Sequence, residues 1–392
     1  MTATLDIRTL SQTRETLVYA DGGLFPVLTV APGDVVVGVL RGGAGHMGLP
    51  GRIEIVRSLD AGRSWTPPSV IADSDRDDRN PAIGVAGDGS VVLAYHRQGS
   101  YNEAGNARHV GRGGGVRPPV EVMFTRSADS GLTWEAPRPL GLDLLSTGSA
   151  FGRIVTQADG TLLLPIYLVD HAAAFSAREE MLRQDPERFG SYLVRSHDDG
   201  RTWGDPSLIA PAMDETGLLV LPDGDLLAML RGTDAEAALW SARSGDGGRS
   251  WSDPVQVTGP HQHPGDVWLL ANGDVLLSYG NRNPPYRIEG RIGRDGGRRW
   301  LDGVIAFSGP LYGANVDTPR RTDLGYASSV VVRGAGQGHG VTIYYLNPSL
   351  PSSGDWRDEG PNGPLFSARG YRAIAVTWDE AELLDAIKRQ MA

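Results

Sequence analysis

SADSGLTW, residues 127–134, packs a small residue, an aspartate, a glycine, a hydroxyl residue and a tryptophan into eight positions. The same wording recurs as SLDAGRSW at 58, SHDDGRTW at 196, SGDGGRSW at 244 and, more loosely, GRDGGRRW at 293. The aspartates Asp60, Asp129, Asp198, Asp246 and Asp295 are spaced by 69, 69, 48 and 49 residues. A repeat of this length marks a fold assembled from copies of one supersecondary unit. In each copy the aspartate can bond N–H groups of its own turn, the glycine permits a tight bend, and the tryptophan can pack between units. The copies fall in different units, so they ring one rim at a distance from one another. They read as scaffold, not as a catalytic or metal-binding set.

A second repeat lies between the octapeptides. VLTVAPGDVVVGVL, AIGVAGDGSVVLAY, RIVTQADGTLLLPIY, GLLVLPDGDLLAML and DVWLLANGDVLLSY are each two apolar runs joined by a tight turn, and SSVVVRGAGQGHGVTIYYL is a sixth copy with a longer turn. Asp-Gly and Asn-Gly between apolar runs signal hairpins, because those turns need positive φ. RIEIVRS, VEVMFTRS, SYLVRS, LWSARS and RIEGRIGR supply third strands. The unit is therefore strand, tight turn, strand, variable loop, third strand, octapeptide, fourth strand. Six such units predict an all-β fold, a six-bladed β-propeller of four-stranded antiparallel blades, as a single domain over 1–392. The N-terminal residues, with YRAIAVTW beside them, complete blade six and remove a free edge. DEAELLDAIKRQ reads as a short C-terminal helix, acidic first and basic last, and AREEMLRQDPERF as a helical insertion in the long loop of blade three.

Composition narrows the function classes. The 392 residues include no cysteine, which excludes disulfides and Cys-ligated metals. A formal charge of −10 without a basic run argues against a nucleic-acid partner or an anionic membrane surface. MTATLDIRTLSQTRETLVYA lacks an apolar h-region, so a soluble, cytoplasmic protein is expected. No cofactor is implied. The sequence leaves the oligomeric state open.

Topology directs attention to the rim opposite the octapeptides, where loops between second and third strands gather with the starts of first strands. Second strands end on Arg41, His96, Asp170, Arg231, Arg282 and Asn347, every one polar after an apolar run. First strands begin at Phe25, Asn80, Arg153, Glu215, His263 or Asp266, and Tyr326. These two sets face a common centre, with His96, Asp170, Arg153 and His263 read as lining residues for a ligand.

S-x-D-x-G-x-[ST]-W resembles the Asp-box, or BNR repeat, of sialidases and their relatives. Four copies match closely; in the fifth, Gly293 replaces the first Ser and Arg299 the Ser/Thr. The resemblance covers nearly the whole chain and implies carbohydrate as the partner. ETGLLVLPDGDLLAMLR is similar to the sialidase segment in which a Glu precedes a hairpin and an Arg follows it. By that resemblance Glu215 acts as base toward a tyrosine and Arg231 grips a carboxylate, which a guanidinium binds bidentately. DLGYASSVVV resembles the stretch in which a Tyr opens the last hairpin, which implies Tyr326 as nucleophile. A further arginine comes from YGNRNPPYRIEGR, with Arg282 favoured by its strand-end position and Arg287 second.

Two family features are missing. The first arginine of the carboxylate-binding triad falls on Leu24-Phe25-Pro26, leaving Arg41 as a hypothetical substitute. The loop that should carry the general-acid Asp is RGGAGHMGLPGR, in which His46 is the one residue with a pKa near neutrality. Asp77, Asp78 or Asp170 are alternatives to it. HQHPGD places His261 and His263 two apart on an extended segment, pointing to opposite faces, so pocket lining is preferred to a metal site. RGGGVRPP at 112–119 reads as a pocket-edge loop. The expected activity is a sialidase-like exo-glycosidase on a terminal, acidic sugar other than ordinary sialic acid. A uronate polysaccharide lyase and a non-catalytic carbohydrate-binding propeller are the alternatives.

Overall fold

A computed structural model describes residues 3–99, 101, 120–142, 148–168, 189–234, 236–311, 323–348 and 367–391. The helical insertion expected in blade three, the Gly-rich loop at 112–119 and Asp170 lie outside the described residues.

Six antiparallel sheets form the six blades of a propeller. Blade one comprises Leu24–Ala31, Val35–Gly42, Arg52–Ser58 and Ser69–Ala72. Blade four repeats the pattern with Met213–Val220, Leu226–Gly232, Leu239–Ser244 and Val255–Gln256. Blade six closes the ring. Leu324–Val332, His339–Leu346 and Arg372–Asp379 come from the C-terminal region, and Arg14–Ala20 pairs outside them. Ring closure therefore joins the two ends of the chain by strand pairing. Thr4–Asp6 adds a parallel strand to the outer edge of blade five at Val304–Ala306.

Six apolar layers, one between each pair of neighbouring blades, make up most of the core, and each holds at least one tryptophan. Trp65, Trp134, Trp203, Trp251 and Trp300 of the octapeptides pack in five of them. Blade six has no octapeptide, and Trp378 from its third strand fills the layer between blades five and six. Gly131 shows why the box needs glycine: its φ is 87°, and a Cβ there would lie 2.5 Å from Ile55 Cδ1 on the preceding blade. The aspartates of the first four octapeptides, Asp60, Asp129, Asp198 and Asp246, act inside their turns, as expected. Asp129 accepts from Thr133 N at 2.8 Å, Thr133 Oγ1 at 2.6 Å and Ser127 Oγ at 2.8 Å.

Blade three departs from the simple pattern. Its first strand is broken into Gly148–Ala150, Gly152–Arg153 and Val155–Thr156. Gly152–Arg153 pairs in parallel with Ala82 and Ile83 of blade two. A bare Gly84 permits the approach, since a Cβ there would meet Ile154 O at 2.1 Å. The C-terminal helix Glu380–Gln390 is capped by Asp379, which accepts from Glu382 N at 2.8 Å. It buries Leu383, Ala386 and Ile387 against blades five and six.

Candidate functional site

The tight hairpin turns and the octapeptides share one rim: Asp88 N of blade two's turn donates to Asp199 of the next octapeptide at 3.3 Å. The other ends of the same strands carry the site. There a register shift interrupts the first strands of blades one, two, four, five and six. Phe25, Asn80 and Tyr326 occupy these bulges with φ of 53°, 51° and 49°, a region bulky residues rarely adopt. A bulge breaks the strict alternation of faces, so neighbouring side chains can both turn toward the centre.

Tyr326 is the hub. Its buried hydroxyl donates to Oε1 of Glu215, and Arg231 Nη1 donates to the other carboxylate oxygen at 2.5 Å. Burial first, and then the negative charge of Glu215, push the Tyr326 phenol well above its usual value, while Arg231 and Arg282 oppose the shift. The Tyr326 ring packs against Phe25, Tyr345 and Phe151 at centroid distances of 4.7, 5.7 and 5.6 Å. His46 stands edge-on to Phe25 at 4.9 Å. Solvent reaches this group, since the His46 and Arg231 side chains are 25% and 23% exposed.

Three arginines bear on Tyr326. Arg231 belongs to blade four. Arg282 of blade five donates from Nε to Leu324 O at 3.2 Å and acts electrostatically on Tyr326, His46 and Asp323. Arg79 of blade two lies with its guanidinium 5.7 Å from the Phe25 ring centre and faces Asp77, Tyr101, Tyr167 and Tyr326. Much donor capacity is uncommitted. Arg282 Nη2, Arg231 Nε and His263 Nδ1 are buried and have no hydrogen-bond partner among the described residues. His263 is neutral: burial, then the charges of Arg231 and Arg282, push its pKa well below the ordinary value.

Other residues named from sequence stand elsewhere. Arg41 is fully buried; it pairs with Asp77 and donates to Asp78 O at 2.9 Å, Gly45 O at 2.8 Å and Gly48 O at 3.2 Å. Its guanidinium is consumed in shaping the His46 loop. Asp77 also accepts from Tyr101, and Asp78 from Ser74 N at 2.7 Å; both aspartates are buried. His96 contacts Ser149 Oγ at 3.1 Å, and Asn80 donates to Tyr167 Oη at 2.7 Å. Arg153 pairs with Asp266 at 2.5 Å and stacks on Trp268, away from Tyr326's partners. Arg287 lies on a third strand and bonds Glu289 at 2.7 Å. Asn347 donates to Arg369 O at 3.4 Å. Among the described residues no cluster of three or more His, Asp or Glu side chains is arranged to hold a metal ion.

Sequence reading passed over Arg79 and Asp323. Arg79 immediately precedes Asn80, and strict alternation would point it away from the centre; the bulge turns it inward. Asp323 begins the DLGY segment and accepts from Tyr345 Oη at 2.5 Å and Tyr371 Oη at 2.6 Å. Its carboxyl also meets His46 Nδ1 at 3.2 Å. Burial alone would raise the Asp323 pKa, but His46, Arg282 and the Tyr345 hydroxyl together hold it below the carboxylate range.

The repeat, the blades and the Tyr–Glu–Arg cluster meet in one further observation: residues 45–335 match the model of the BNR repeat-like domain. The chain belongs to that family. Solved structures share the fold of this BNR-repeat propeller. A protein of unknown function from Dyadobacter fermentans superposes with a TM-score of 0.67 at 22% identity, over 95% of this chain and 100% of that one. The NanB sialidase of Streptococcus pneumoniae, as its K499G mutant, gives 0.65 at 12% identity, over 93% and 69%. Trypanosoma rangeli sialidase in complex with sialic acid gives 0.65 at 14% identity, over 99% and 62%. At such identities the likeness is one of fold. No curated protein matches the BNR-repeat chain in sequence.

Proposed function

We propose that this BNR-repeat propeller is a sialidase-like exo-glycosidase acting on a terminal acidic sugar. The observation that supports it best is the Tyr326 hydroxyl seated on Glu215, with Arg231 on the opposite carboxylate oxygen. Tyr326 Oη attacks the anomeric carbon as its proton passes to Glu215. The raised phenol pKa means that Tyr326 does not ionise unaided near neutrality, so the neighbouring base is required. The leaving oxygen takes a proton from His46. Water then attacks the glycosyl-tyrosine, returning one proton to His46, while Glu215 returns the other to Tyr326. Arg231 and Arg282, joined by Arg79, grip the substrate carboxylate; Arg79 takes the part of the family's missing first arginine from a different blade.

His46 favours a second reading. Burial, aided by Arg79 and Arg282, lowers its pKa despite Asp323, so the imidazole is neutral at pH 7 and able to accept a proton. A neutral base beside arginines also suits β-elimination from a uronate. A panel of chromogenic glycosides of sialic, deaminated sialic, ketodeoxyoctonic and uronic acids tests both readings. Release of the chromophore by wild type, lost in Tyr326→Phe, supports the glycosidase. An unsaturated product absorbing in the ultraviolet supports the lyase. No turnover of any member overturns both.

A further inference from the structure

Asp323 is 1% exposed and stands at the start of blade six's first strand, where two phenols close on it. Tyr345 donates to its Oδ1 at 2.5 Å and Tyr371 to its Oδ2 at 2.6 Å. His46 Nδ1 lies 3.3 Å from Oδ1 and 3.2 Å from Oδ2. An ionised carboxylate only accepts hydrogen bonds, and both phenols here donate. The third contact therefore needs the proton on Nδ1. That leaves Nε2 as the nitrogen whose protonation changes, and the edge-on Phe25 at an interplanar angle of 86° fixes the plane of the ring.

We infer that Asp323, clamped by Tyr345 and Tyr371, is the positioning residue that holds His46 as its Nδ1–H tautomer and makes Nε2 the proton-transfer atom of the site. The inference rests on the proposed function for what the proton does, but the tautomer itself can be read without turnover. Among the described residues, Asp323 acts on His46 from one side and Arg79 and Arg282 oppose it, with Tyr326 beyond Phe25. Of these groups Asp323 carries the negative charge, so it counters the two guanidinium groups and keeps protonated His46 within reach of ordinary pH.

The test is imidazole ¹⁵N NMR of histidine-labelled protein, with the His46 resonances assigned by their loss in His46→Gln. Wild type at high pH should show a protonated Nδ1 and a bare Nε2. Asp323→Asn should titrate at a pH lower by about one unit or more. Its kcat should fall about 100-fold, with the alkaline limb of the rate profile displaced to match, and it should add no further loss in the His46→Gln background. Tyr371→Phe removes one clamp but keeps the charge, and should give a smaller shift in the same direction. An Nε2–H tautomer in wild type overturns the inference, whether or not any variant folds. So does an Asp323→Asn protein whose His46 titrates as in wild type. If the tautomer is as stated but wild type turns over no acidic glycoside, the proposed activity fails and the assignment of Asp323 stands.

Discussion

The hydroxyl of Tyr326 meets the carboxylate of Glu215 across 111 residues of chain, from blade six to blade four. Neither residue reaches the other through its own hairpin. The ring closure that pairs Arg14–Ala20 with Arg372–Asp379 keeps blade six, and hence Tyr326, in place. Replacing the hydroxyl alone separates chemistry from fold. Tyr326→Phe should lower kcat by about 1,000-fold or more, because the nucleophile is gone while the ring still packs on Phe25. Melting temperature and KM should change little. Steady-state kinetics and a thermal melt on the same sample check this, and a Phe variant with wild-type kcat would exclude Tyr326 as nucleophile.

Arg79 and Arg41 both touch the Asp77 carboxylate, yet they should fail differently. Arg79→Met removes a cation beside Tyr326 and should raise KM for an acidic substrate about 10-fold or more. Arg41→Met takes the main cation from the buried Asp77 carboxylate and the donor from three backbone carbonyls. It should lower unfolding free energy by about 3–5 kcal/mol, as for a broken buried pair. Urea unfolding and KM measured for both variants should give opposite patterns. An Arg41→Met protein of normal stability with a raised KM would return Arg41 to the substrate.

The pH dependence follows from His46. As proton donor it must be protonated, and its pKa lies below the ordinary 6.5 through burial. The active fraction is complete below that depressed value and falls as pH rises through it. The rate maximum should therefore lie on the acid side of 6.5, with the alkaline limb missing in His46→Gln. A kcat–pH profile that instead rises with pH through the same region would make His46 the acceptor, and would favour elimination.

Asp129 should matter to stability and not to turnover. The Thr133 hydroxyl and N–H hold its carboxyl at about 2, below the ordinary 3.8. A depressed folded pKa stabilises above the unfolded value, and the effect is lost as pH falls through the folded one. Asp129→Ala should have a lower urea midpoint at neutral pH and unchanged kcat. The gap from wild type should close between about pH 4 and 2. Lost turnover in a stable Asp129→Ala protein would contradict the scaffold role of the octapeptide.

Much of this molecule was legible in one dimension. The octapeptides count blades because Ser127, Asp129, Gly131, Thr133 and Trp134 do their work within a single turn and against one neighbouring blade. Local hydrogen bonds and period-two strands need no knowledge of the rest of the chain. Glu215, Arg231 and Tyr326 were legible as members of a known pattern. Arg79, Asp323 and the fate of Arg41 were not. Bulges at Arg79–Ala82 and Gly325–Ser328 reset which side chains face inward, and a residue's sequence neighbours carry no sign of that shift. Whether an arginine grips a ligand or holds the loop beneath it depends on which carboxylate arrives from another blade. For Arg41 that partner is Asp77, and for Arg231 it is Glu215. Repeating local chemistry determined the blades; the closing of the ring decided which charges meet at its centre.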